Sequence, residues 1–129
     1  MTAWSYLPNA KYIDAIIASV KANPEVWDAA WDAAWSAAWE AAWYAAWEAA
    51  WNAAREAARE AAREAAWNAA REAAREAVAA LIAYDHASKY LEMKPDQLHA
   101  WALLSEDPAA VLLIPAVIAF DKLAETETA

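Results

Sequence analysis

An all-α fold follows from three features of this 129-residue chain: it has no glycine, alanine, glutamate and arginine dominate its middle, and several of its prolines stand where helices begin. Positive-φ positions carry a steric cost for every residue with a Cβ, so a chain without glycine disfavours tight hairpin turns. Alanine, glutamate and arginine rank near the top of the helix-propensity scale. The length suits one domain. Within it we expect an N-terminal helix in 1–23, a tetrad-repeat helix over 24–78, and a C-terminal helical region with a short tail over 79–129.

The first element is amphipathic: Tyr12, Ile13, Ile16, Ile17 and Val20 recur at helical spacing between Pro8 and Pro24. Asn23-Pro24-Glu25 then reads as a helix start, with Asn as cap, proline at the first position and glutamate at the positive end of the dipole. Residues 27–78, 52 positions in steps of four, are thirteen units of a Trp/Arg–polar–Ala–Ala tetrad, the last ending in Val78. No strong helix breaker interrupts the chain from Pro24 to Lys94, so the pattern predicts a nearly continuous helix of about 65 residues, roughly 100 Å long. Such a rod must bend, break or be covered. Asn52 and Asn68, which replace an acid by a weaker helix former, are the expected break points. Beyond the repeat, Pro95 and Asp107-Pro108 each open a further helix, and Pro115 kinks or splits the last one.

The repeat period sets the geometry. Four residues turn 400° on an α-helix, so each unit advances about 40° and the Trp/Arg column winds around the helix instead of holding one face. This is not a heptad seam. The column coincides with the i±4n ridge, which predicts oblique crossings near −50° with tryptophans lying over alanines. Burying one tryptophan removes about 150–250 Å² from water, several kcal/mol at about 25 cal/mol per Å². A wet ridge would therefore drive association. Trp27, Trp31, Trp35, Trp39, Trp43, Trp47, Trp51 and Trp67 are accordingly read as a core or self-association interface. Arginine takes over the column in the second half, and its flat guanidinium can stack on indole. The stretch Trp51, Arg55, Arg59, Arg63 and Trp67 therefore offers an alternative reading, a site that stacks a nucleobase and pairs its phosphate.

A net charge of −9 argues against nucleic-acid binding. The longest apolar run, 108–120, is short of a bilayer span and contains Pro115. No secretory leader is legible, and cysteine is absent, so a cytoplasmic setting is expected. His86 and His99 are the two histidines; His86 neighbours Asp85 in sequence, but on a helix the two point about 100° apart. A catalytic dyad needs Asp107, Asp121 or Glu92 brought in by folding. No metal-ligand spacing, phosphate loop or nucleophile elbow occurs, so neither metal, cofactor nor catalysis is expected.

The tetrads AAWNAAR (49–55 and 65–71) and AAREAAR (53–59), followed by ALIAYD (80–85) and DPAAVLLIPAVIAF (107–120), resemble uncharacterised tailed-phage proteins that carry variable numbers of such units. More loosely they are similar to bacterial proteins labelled as immunity proteins. The resemblance spans about residues 24–120 and implies a phage or bacterial cytoplasmic setting. It supplies no catalytic residues. The sequence thus points to a non-enzymatic helical protein that self-associates and binds protein, with a host or defence component as partner.

Overall fold

In the computed structural model, which describes residues 2–37 and 40–128, the tetrad repeat is cut into short helices instead of being drawn out as one. The order is α1 (Ala10–Ala22), α2 (Pro24–Ala37), α3 (Glu40–Glu56), α4 (Glu60–Ala69), a 3₁₀ turn (Glu72–Ala74), α5 (Arg75–Ala83), a 3₁₀ helix (Ala87–Glu92), α6 (Pro95–Ser105), α7 (Pro108–Leu112) and α8 (Ile114–Thr128). No strand occurs among the described residues. The long continuous helix expected from the sequence is therefore replaced by several packed pieces.

The reason lies in the 40° drift per tetrad. Three or four units drift about 120–160°, close to the width of one apolar face, and a longer helix would rotate its repeat out of the core. Each break resets the phase. What stays buried through most of the resets is the alanine just before the Trp or Arg: Ala30, Ala34, Ala46, Ala50, Ala54, Ala62, Ala66, Ala70 and Ala74, with Ala42 half-buried and Ala58, at the turn, exposed. The acidic column points outward at Asp28, Asp32, Glu40, Glu48, Glu56, Glu60, Glu64 and Glu72. Small alanines let helices approach closely, and the tryptophans lean over their flanks.

The breaks do not fall at the asparagines. Asn52 lies inside α3, which ends instead in a Schellman motif: Arg59 N–H donates to Ala54 O (2.7 Å), Ala58 N–H donates to Arg55 O (3.0 Å), and Ala58 takes the left-handed position at φ 60°. Asn68 is in the last turn of α4, and the backbone becomes extended at Ala70 and Arg71. Two alanines, strong helix formers, thus sit at a turn because turning buries more than continuing.

Helix α5 is the hub. Ala77 to Ala83 are all buried, and the helix touches α1, α3, α4, α7 and α8. It stops at Ala83, and Tyr84 is extended, so the repeat helix does not continue to Lys94. A buried helix end must satisfy its carbonyls. Buried Asn9 does so through Nδ2, which donates to Leu81 O (3.0 Å) and Tyr84 O (2.9 Å), and Arg59 Nη1 donates to Ile82 O (2.9 Å). Helix α2 packs on α8, and α3 on α7 and α5. Asp107 Oδ1 caps α7 by accepting from Ala109 N–H (3.0 Å), as its sequence context predicts, and α8 begins one residue before Pro115. Asn23 departs from expectation: its carbonyl accepts from Trp27 N–H in α2, but its side-chain Nδ2 donates backward to Ser19 O.

Candidate functional site

The tryptophans divide between core and flank. Trp27 is fully buried, meets Phe120 edge to face (5.5 Å between centroids) and donates its indole N–H to Ser19 Oγ (3.0 Å). Trp43 is 2% exposed. These two, assigned from sequence to a core or a self-association surface, are buried within the chain and cannot face a partner. Trp39 lies outside the described residues. Trp31, Trp35, Trp47, Trp51 and Trp67 are half-buried. Trp35 stacks on Trp43 with centroids 5.4 Å apart, and Trp31 meets Trp35 at 5.5 Å. Eight residues along a straight helix span about 12 Å, so α2 and α3 are not collinear and the chain covers part of its own ridge. A second cluster joins α3 to α4: Trp47 with Trp51 (4.9 Å), and both with Trp67 (6.3 and 6.5 Å).

The arginines of the column go to separate tasks. Arg63 stacks its guanidinium on Trp51, 3.2 Å from the ring centroid; burial lowers its pKa while Glu60 and Glu64 raise it. This is the Trp–Arg apposition that antiparallel segments of the repeat allow. Arg59, the residue after the Schellman turn, pairs with Asp85 Oδ1 (2.8 Å) and caps α5. Arg55 is exposed and reaches Asn52 Oδ1. Arg75 Nε donates to Trp67 O (3.2 Å) and Ala70 O (3.3 Å), closing the end of α4. Trp51, Arg63 and Trp67 therefore come together, whereas Arg55 and Arg59 turn to other partners.

Folding brings Asp107, one of three acids named from the sequence, to His86. His86 Nε2 lies 2.8 Å from Asp107 Oδ2, the Tyr90 hydroxyl donates to the same oxygen, and Trp101 Nε1 donates to the Tyr90 hydroxyl oxygen (3.1 Å). Burial pushes the Asp107 carboxyl up, but the bonds from Tyr90, His86 and the Ala109 amide outweigh it, and the pKa is lowered overall. Burial, then the Asp107 carboxylate, raises the Tyr90 hydroxyl. Both Asp107 oxygens are committed, one to the α7 cap and one to the 3₁₀ helix. That is the geometry of a tether between elements. Asp85 is taken by Arg59, and Asp121 by Lys94 (3.4 Å).

A third feature was not singled out from the sequence. Helix α6 leaves Trp101 (45%), Leu103 (55%) and Leu104 (81%) exposed. Of these only Leu103 borders an apolar groove of about 410 Å³, floored by Ala41, Ala42, Ala45 and Ala46 of α3 and walled by His99, Ala102 and Leu103 of α6 with Val111 and Ile114. Leucines at 103 and 104 are adjacent, so no helical periodicity buries both. That adjacency was the available signal.

No known protein family matches this chain, and no characterised protein or solved structure shows significant similarity to it. Among the described residues no group of three or more potential ligands is placed to hold a metal ion, and no helix is long and apolar enough to cross a membrane.

Proposed function

We propose that the protein is a non-enzymatic, phage-type binding protein that associates with a second copy of itself through the α6 face. The observation that carries this reading is an apolar rim on an apolar trough: Leu103 stands 55% exposed on the wall of the alanine-floored groove. A twofold axis through such a face seats Leu103 of each protomer against the groove of the other. Burying a leucine contributes about 1.5–3 kcal/mol, so the two Leu103 side chains supply at most about 3–6 kcal/mol, to which the apolar groove walls add. Association itself costs about 4–15 kcal/mol, which makes the dimer weak and concentration-dependent. The phage or bacterial cytoplasmic setting, with a host or defence component as a further partner, is supported by the tetrad resemblance.

Sedimentation equilibrium across micromolar to sub-millimolar concentrations tests the association. The wild type should shift from monomer to dimer, and Leu103→Glu should remain monomeric with an unchanged circular dichroism spectrum. A wild type that stays monomeric throughout removes the proposal.

A further inference from the structure

In the acidic column of the repeat, Glu76 stands apart. Asp28, Asp32, Glu40, Glu48, Glu56, Glu60, Glu64 and Glu72 are exposed, but Glu76, on the hub helix α5, is drawn inward. Its Oε2 is buried without a hydrogen-bond partner, and burial raises its pKa above the ordinary carboxylate value. Trp31 lies beside it, and its indole N–H pulls the pKa back, yet Trp31 Nε1 is not at hydrogen-bonding geometry to any acceptor. Arg75 acts on Glu76 through space, but its Nε is spent on the carbonyls of Trp67 and Ala70. Its own backbone N–H also holds the carboxylate, and no ion pair to Glu76 within 4 Å occurs among the described residues.

Glu76 opens onto a cavity of about 190 Å³ whose other walls are Trp35, Trp43, Tyr44 and Trp47. Glu72, which acts electrostatically on Glu76, lines a neighbouring depression together with Asp28, Asp32 and Trp31. We propose that this cavity is an aromatic cage for a small organic cation, a methylated ammonium head group held against the tryptophan faces and neutralised by Glu76. Three observations converge on that chemistry. Aromatic faces attract cations through their quadrupole, most strongly when desolvated. A buried carboxylate is costly until it is paired. The space corresponds to about six waters at ~30 Å³ each, enough for a trimethylammonium group and too small for a nucleotide. Tyr44, exposed at the rim, leaves the cage accessible. This site is separate from the α6 face and stands or falls independently of self-association.

Isothermal titration calorimetry with choline, against its uncharged carbon isostere 3,3-dimethyl-1-butanol and against sodium chloride at matched ionic strength, tests the assignment. Choline should bind saturably and about tenfold more tightly than the isostere. Glu76→Gln should weaken choline about tenfold while the variant stays folded, and Tyr44→Ala, at an exposed position, should weaken it less. Equal binding of choline and its isostere, no saturable heat with choline, or unaltered choline affinity in Glu76→Gln would each overturn the proposal.

Discussion

Replacing Ala58 by glycine will stabilise the protein, although the same change in a helix interior costs stability. Ala58 holds φ 60° at the position after the α3 C-cap, where the Schellman bonds from Ala58 and Arg59 close the helix. A residue with a Cβ loses about 1–2 kcal/mol in the left-handed region. Glycine offsets part of that gain, about 0.4–1 kcal/mol, through the greater freedom of its unfolded chain. The net expectation is about +0.5–1 kcal/mol, or a rise of a few degrees in Tm for a domain of this size. Urea denaturation followed by helical circular dichroism measures it directly. Ala57→Gly is the control: Ala57 has no positive φ, and glycine there should cost up to about 1 kcal/mol. A continuous helix through 56–60 predicts that both substitutions destabilise about equally. If Ala58→Gly lowers the midpoint as Ala57→Gly does, the turn and the reasoning on phase resetting are both wrong.

Arg59→Ala removes the Asp85 pair and leaves Ile82 O without its charged donor, so it should cost about 1–3 kcal/mol by the same denaturation assay; Arg59→Lys should recover only part, since one ammonium replaces a planar fork. For Glu76 the folded pKa is raised, so the proton is held more tightly in the folded state, and stability is greatest below the ordinary carboxylate value and falls as pH rises through the raised one. Tm against pH for wild type minus Glu76→Gln should show that decline, and a flat difference refutes it. Asp107 has the opposite sign: its folded pKa is lowered, so its contribution is present above the ordinary value and fades as pH falls through the lowered one. Asp107→Ala, which removes the α7 cap and the Tyr90 and His86 tether, should cost about 1–3 kcal/mol at neutral pH and progressively less as pH falls through its lowered pKa.

How much of this was legible can be judged residue by residue. The all-helical class, the α7 cap at Asp107, the start of α6 at Pro95 and the split before Pro115 all follow from local chemistry, because caps and prolines act on the nearest backbone groups. The turn at Ala57–Arg59 does not, because its residues are indistinguishable in type from those of the units that remain helical. Asn52 and Asn68 differ from their neighbours by tenths of a kcal/mol in propensity, too little to place a break against the burial gained elsewhere. The candidate site was legible in part. The tryptophan ridge and Trp–Arg stacking are properties of the column, whereas the separate fates of Arg55, Arg59 and Arg63 depend on which helix end each one meets.

By itself the sequence determined that this chain is helical, that its bulky column drifts about 40° per unit, and that no straight helix could keep that column dry. Those are consequences of backbone geometry and residue type, which need no knowledge of neighbours. Only the tertiary structure decided where the repeat would turn, that most of the preceding alanines and few of the tryptophans would be buried, and that Glu76 alone among its acidic equivalents would face an aromatic cavity. Identical tetrads have identical local preferences, so the choice among them falls to long-range burial and to whichever carbonyls and carboxylates the packed helices bring within reach.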